Sequence, residues 1–343
     1  MTTTSTGADR RAATSIGRRE FVGLGLGAFV AAAIPLAARR SAGFVVRRSL
    51  PAMGTIAQFA VVHRDPVVAH AAIDAAAAEL LWVERTMTRF TDTSDVGRAN
   101  RLAARDGVLV TPETALVTLA ALDWADALDG RYDPAVGAVC ALWDVRNRHE
   151  APADERVAEL AGRRFHRTVE VGTSGGGHVI RFHGEGARLD LGSAAKGYAV
   201  DRAVDALRRR GIEKALVVAG GDLYALGTGP DGEPWEIGIQ SPTDERALVG
   251  RLYLADRAVA TSGTYRQFFR HRGRRYHHLM DPATARPRET PMQSLTVVAD
   301  SVLHADVATA RSARCRRPAS ARSSVGDWMP ISQGSPSGPV PRA

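Results

Sequence analysis

The sequence predicts an α+β fold, a single domain rich in antiparallel sheet and preceded by an export signal. Three observations carry this expectation. Helical patterns cluster early in the body of the chain, at 66–87, 112–130 and within 187–211, whereas short apolar runs bounded by turn residues crowd its later half. Those runs fall at 215–219, 223–226, 235–240, 252–254, 258–262, 265–271, 276–280 and 295–299. Strands that meander after the helices, instead of alternating with them, suit an antiparallel sheet and not a doubly wound one. The third observation is a charged stretch followed by an apolar run near the N-terminus, the pattern of a targeting segment.

Three segments follow in order. Residues 1–43 hold the signal: Arg18-Arg19-Glu20-Phe21 precedes the Gly- and Ala-rich apolar run 21–38, which resembles the twin-arginine address for folded, cofactor-loaded cargo. Residues 44–310 form the domain. It opens with a strand, a Met53-Gly54-Thr55 turn and a second strand at 56–62. Asp65-Pro66 starts an alanine-rich helix, 89–100 reads as a polar loop, and Thr111-Pro112-Glu113 caps the next helix. The stretch 187–211 reads as a strand end, a glycine turn and a helix stopped by Gly211. Residues 311–343, with seven Ser, five Pro and no apolar period, read as a disordered or out-of-frame tail.

Charge excludes one class of function. The net charge is +8, but the first 48 residues carry eight arginines against two acids, and residues 311–343 carry six against one. The body between them is slightly acidic, so no basic surface on the folded domain is available to meet phosphates, and a nucleic-acid partner is not expected. Two cysteines, Cys140 and Cys315, cannot build a disulfide framework or a four-ligand zinc site. Two motifs fail on context. Gly227-Thr-Gly229-Pro-Asp-Gly232 leads into a strand where a dinucleotide loop needs a helix, and Gly172-Thr-Ser174-Gly-Gly176 does the same where a nucleophile elbow needs one.

Four short stretches carry chemistry. Asp190-Leu-Gly192-Ser193-Ala-Ala-Lys196-Gly197-Tyr198 places an acid, a small-residue turn and a helix start beside a lysine, a holder for phosphate oxygens. Arg131-Tyr132-Asp133-Pro134 sets an aromatic ring beside a carboxylate, suited to a flat heterocycle; a plain proline turn is the alternative. In Tyr276-His277-His278-Leu279-Met280-Asp281-Pro282, strand alternation puts the two histidines on opposite faces, so one can serve a site as general base. His304-Ala-Asp306-Val-Ala-Thr309 offers carboxylate and hydroxyl oxygens, apt for Mg²⁺, or simply starts a helix.

The order and wording of these blocks resemble the FAD:protein FMN transferases, the ApbE-type flavin transferase family. The resemblance runs from about Met53 to Thr309. It rests on Met53-Gly-Thr, Arg89-Phe90 with Asn100, Tyr132-Asp133-Pro, Asp190-Leu-Gly to Lys196-Gly-Tyr-Ala, Ala219-Gly-Gly-Asp222, Trp235 with Gly238-Ile-Gln240, Ala260-Thr-Ser-Gly263 with Tyr265, and His277-His278 with Asp281-Pro. It implies a domain of the flavin transferase type and an exported enzyme on the outer face of the cytoplasmic membrane or in a periplasm-like space. That enzyme would use Mg²⁺ to move FMN from FAD to a threonine hydroxyl of an acceptor flavoprotein, releasing AMP. Its partners would be that acceptor and the twin-arginine machinery.

The same resemblance implies the site. Met53, Phe90, Arg131, Tyr132, Asp133, Asp190, Lys196 and Met280 would line FAD; Ser193, Asp306 and Thr309 would supply metal ligands; His278 would be the base. The family's threonine ligand stands four residues after the aspartate, where this chain has Ala310, and Thr309 is three after. Two alternatives remain open at this stage: an FAD pyrophosphatase giving FMN and AMP, and an inactive FAD-binding remnant without a complete metal site.

Overall fold

The computed structural model describes residues 43–310, apart from Glu245 and Arg266, and the backbone of Val30–Ala33. Arg18-Arg19 and the tail from 311 lie outside the described residues. Val30–Ala33 (β1) runs antiparallel to a later strand. Phe44–Ala52 (β2) and Thr55–His63 (β3) form the opening hairpin, and its turn residues Met53 and Gly54 both have positive φ, 56° and 67°.

Asp65 caps Pro66–Met87 (α1) by accepting the Val67 N–H. The expected loop at 89–100 contains a helix, Asp95–Leu102 (α2), which has too few apolar residues to show a period. Side chains hold it instead. Ser94 accepts the Gly97 N–H, and the buried Asp95 carboxylate takes the Thr111 N–H and the Thr111 and Thr114 hydroxyls. Val108–Val110 (β4) then leads into Pro112–Ala127 (α3), capped by Thr111 as expected.

Gly137–Trp143 (α4) and Asp154–Ala158 (α5) precede Val169–Ser174 (β5) and Gly177–Phe182 (β6), which pair with β4 in a small sheet. The expected strand end at 187–191 forms no strand. Among the described residues its ladder partner is the loop after Tyr132: the Arg188 and Asp190 N–H groups donate to the Ala135 and Pro134 carbonyls. Ala195–Arg209 (α6) follows.

Ala215–Ala219 (β7), Asp222–Leu226 (β8), Trp235–Gln240 (β9), Leu248–Leu254 (β10) and Arg257–Gly263 (β11) come next. Phe268–His271 (β12) pairs with Arg274–His277 (β13), and Met280–Asp281 (β14) with Arg286–Pro287 (β15). Ser294–Ala299 (β16) and Val302–Ala308 (α7) close the domain. The run expected as one strand at 276–280 is broken after His277, whose imidazole accepts the Leu279 N–H at 3.2 Å in place of a ladder bond.

The central sheet has the order β16-β11-β8-β7-β3-β2 and is antiparallel throughout. Every residue of β7 and β8 is buried, so this sheet is covered on both faces. Ala215, Val217 and Ala219 belong to the core under α1 and α6, whereas Leu216 and Val218 pack against Trp235, Ile237 and Leu254 of β9 and β10. The alanines of α1, among them Ala69, Ala72 and Ala76, let α6 lie close beside it. Leu80 of α1 is wholly buried in that core, while Leu116 of α3 is half exposed. Leu80→Ala should therefore cost about 2–5 kcal/mol in a urea titration with an unchanged m-value, and Leu116→Ala within about 0.5 kcal/mol. Equal losses would contradict this core.

Candidate functional site

The site forms where α6, the β7–β8 turn and α7 converge. Gly220 at φ 65° turns β7 back into β8 and leaves Asp222 as the first residue of β8, 2% exposed. Gly197 lets α7 approach α6. A Cβ there would stand 2.5 Å from the Val302 carbonyl oxygen. The two helices thereby bring Asp306, 3% exposed, to Lys196.

Lys196 Nζ lies 2.5 Å from Asp222 Oδ2 and 3.1 Å from Asp306 Oδ2, and the Gly197 N–H also donates to Asp306 Oδ2 at 3.3 Å. Burial alone would lower the Lys196 ammonium, but the two carboxylates outweigh it and raise it. Asp222 is pushed up to about 7, by burial first and then by the Asp306 charge, with Lys196 opposing both. One cation thus serves two buried carboxylates.

Around this trio stand the other residues expected in the site. The Tyr132 hydroxyl is 2.8 Å from Ser193 Oγ; burial raises its phenol, and the charges of Asp306, Asp190 and Asp133 add to that rise. Asp190 accepts from Arg89 Nε at 2.8 Å and from the Gly192 N–H at 3.1 Å. Asp133 is buried beneath Tyr132, with one oxygen on the Ala135 N–H and the other on the backbone and ring nitrogens of His166. Its carboxylate braces the loop and is fully engaged by protein.

The two histidines separate as alternation implies. His277 points into the core, with Nε2 on the Arg288 carbonyl at 2.9 Å. His278 has Nδ1 3.4 Å from the Gln267 carbonyl and lies near enough to the site to feel Lys196: burial lowers it to about 4, the Gln267 carbonyl opposes, and His277, Lys196 and Arg146 lower it further. At neutral pH it is an uncharged base. Arg146 lies on the Gly54 turn, since a Cβ on Gly54 would stand 2.9 Å from the guanidinium, and its charge is one of those that lower His278.

Four other expected residues remain. Phe90 is exposed with Arg89 over its ring, Arg131 is exposed and offers its carbonyl to Arg288, Met280 is buried in β14, and Met53 is half-buried in its turn. Thr309 is buried. Its hydroxyl donates to the Asp306 carbonyl at 2.6 Å and meets Ser262 Oγ at 2.7 Å. Among the described residues no group of three His, Cys, Asp or Glu side chains is arranged to hold a metal. What is present is the carboxylate pair.

Sequence reasoning passed over Asp222 and Arg89 as site residues, although both lie in quoted blocks. The signal for Asp222 was its position after a Gly-Gly turn, where an acid ends in the core unless a cation meets it. A cavity of about 210 Å³, lined by Asn100, Arg101, Gly137 and Arg188 among others and by Arg89, the partner of Asp190, is smaller than the usual range for organic ligands.

An α+β scaffold that sets a half-buried lysine between two buried carboxylates, near a neutral histidine, forms a centre suited to polar, charged groups. Comparison with known proteins gives the family. Residues 53–314 match the ApbE family model. The chain is 32% identical over 270 residues to the FAD:protein FMN transferase of Treponema pallidum, covering 74% of each, and 33% identical over 238 residues to that of Klebsiella pneumoniae, covering 66% of this chain and 72% of the relative. Among solved structures, the ApbE protein of Thermotoga maritima superposes with a TM-score of 0.71 at 28% identity, and the flavin transferase ApbE of Vibrio cholerae with 0.67 at 29%; each comparison covers 79% of this chain and 87% of the other. The chain belongs to the ApbE family.

Removing the shared cation should expose the cost of the carboxylate pair. Lys196→Met is expected to destabilise the protein by about 3–5 kcal/mol near pH 8, because two buried carboxylates lose their partner. Near pH 5 the loss should be smaller, since Asp222, already raised with Lys196 in place, takes up a proton. A loss independent of pH would show that the trio is not coupled in this way.

Proposed function

We infer that this chain transfers FMN from FAD to a threonine hydroxyl of an acceptor flavoprotein and releases AMP. The observation that carries this reading is half-buried Lys196 between the buried Asp222 and Asp306 carboxylates, near neutral His278, in a chain whose relatives bear the name FAD:protein FMN transferase. The acceptor oxygen forms a bond to the FMN phosphorus, the pyrophosphate P–O bond breaks, and AMP leaves with that electron pair. His278, uncharged above about pH 4, takes the hydroxyl proton. Tyr132 and Ser193 pre-orient one wall, and Asp190, fixed by Arg89, presents its remaining acceptor capacity to the heterocycle.

The donor set fits Mg²⁺. Asp306 and Asp222 are hard oxygen donors whose combined charge one lysine only half compensates, and the raised Asp222 carboxyl is the mark of that deficit. Asp306, with Asp222 behind it, would hold the ion. The hydroxyls of Ser193 and Thr309 are engaged by Tyr132 and Ser262 and would join only by exchanging those bonds. When bound, the ion neutralises pyrophosphate charge.

We also infer export by the twin-arginine route, on the ground of Arg18-Arg19 before the apolar run. Lysines at both positions should retain the protein in the cytoplasm by fractionation; unchanged delivery would dismiss the assignment. The activity is tested by incubating the protein with FAD, Mg²⁺ and an acceptor-threonine peptide. A peptide mass increase of one FMN with equimolar AMP is expected, whereas FMN and AMP without labelled peptide would make it a pyrophosphatase and bound FAD without turnover a remnant. His278→Asn should lower transfer by about 10²–10⁴-fold with FAD affinity kept. The acid limb of wild-type kcat/KM should titrate near 4, not 6.5, because His278 stays deprotonated down to there.

A further inference from the structure

α7 is seven residues long, too short to hold its shape without outside support, yet it carries Asp306. Its support comes from α6. Asp201, one turn after Gly197 on the same face of α6, accepts the Val302 N–H on Oδ1 at 2.8 Å and the Leu303 N–H on Oδ2 at 2.9 Å. These are two of the unpaired donors at the start of α7, and Ser301 takes a third, the His304 N–H, at 3.3 Å. Asp306 lies one turn beyond Val302, so the face of α7 that Asp201 seats is the face that presents Asp306 to Lys196 and Gly197.

We propose that Asp201 is a positioning residue for the metal-binding carboxylate: by clamping the first turn of α7 to α6 it fixes where Asp306 stands. Among the described residues the side-chain bonds of Asp201 go to the Val302 and Leu303 N–H groups, and none joins it to the trio. Burial makes a carboxylate here costly and pushes it up to about 6; Asp205 pushes the same way, while the two N–H bonds and His304 oppose. A buried acid retained at that cost, with both oxygens on one helix start, is a clamp. A hydrophobic contact could pack the same helices but would leave the Val302 and Leu303 N–H groups unpaired.

This inference rests on the reading that Asp306 holds the divalent ion, and the experiment separates the two. Full-length protein and the variants Asp201→Asn, Ser301→Ala and Asp306→Asn are titrated with Mn²⁺, free ion being read by electron paramagnetic resonance. FAD affinity is read by flavin fluorescence, and amide exchange over 302–308 by mass. Asp306→Asn should abolish tight Mn²⁺ binding. Asp201→Asn should weaken Mn²⁺ about tenfold or more, speed exchange over 302–308, and leave FAD affinity without metal within about twofold. Ser301→Ala, which loosens the same helix start and leaves α6 intact, should weaken Mn²⁺ by about threefold and decides the matter if Asp201→Asn does not fold. Unchanged Mn²⁺ affinity in Asp201→Asn, or in Ser301→Ala where it must stand in, overturns the proposal while leaving the metal reading intact. Equal losses of Mn²⁺ and FAD also overturn it, as general loosening, and an Asp306→Asn protein that binds Mn²⁺ normally overturns both.

Discussion

One lysine between two buried carboxylates joins three parts of the chain that are far apart in sequence. Lys196 is 26 residues from Asp222 and 110 from Asp306, and each sits on a different element: the first turn of α6, the start of β8, and the middle of α7. A buried ion pair rarely adds net stability, because desolvation offsets the attraction. What it adds here is geometry. Lys196 pins the start of α6, the start of β8 and the middle of α7 to one another, and the charges of this centre reach Tyr132 and His278.

The frame was legible where local chemistry and apolar period agree. Asp65-Pro66 and Thr111-Pro112 mark their helices because cap and first-turn proline are read within four residues, and β7, β9 and the α6 apolar face follow from burial pattern. What failed to show depends on distant partners. α2 exists because Asp95 takes three donors from Thr111 and Thr114, a contact no window around 95 contains. The strand break at Leu279 comes from His277 competing with the ladder, a choice of hydrogen bond and not of propensity.

The site was legible in its members and illegible in their division of labour. Tyr132 and Ser193 are expected residues, and the structure makes them partners of each other. Asp133 and Asp190 look equivalent in sequence, each an acid beside a turn, but Asp133 spends both oxygens on Ala135 and His166, whereas Asp190 is held by Arg89 at one oxygen and a turn N–H at the other. Burial separates them: Asp133 is 3% exposed and braces from below, while the Asp190 side chain is 26% exposed and can still reach a ligand. His277 and His278 divide in the same manner, since the first is satisfied by a core carbonyl and the second is left neutral among cations.

The end of the domain shows how far function and folding are joined. Thr309 is buried and gives its hydroxyl proton to the Asp306 carbonyl while meeting Ser262 of β11. That contact ties the last turn of α7 to the sheet, as Asp201 ties the first turn to α6 and as Lys196 and Gly197 tie the middle to the site. A seven-residue helix held at three points, two on α6 and one on β11, has little freedom to reposition its carboxylate. The position of Asp306 is therefore a property of the whole α6–sheet–α7 arrangement. Asp201 and Ser262 act on the carboxylate centre without touching it, whereas Gly197 acts twice, through its N–H on Asp306 and through the close approach that a Cβ against the Val302 carbonyl would prevent.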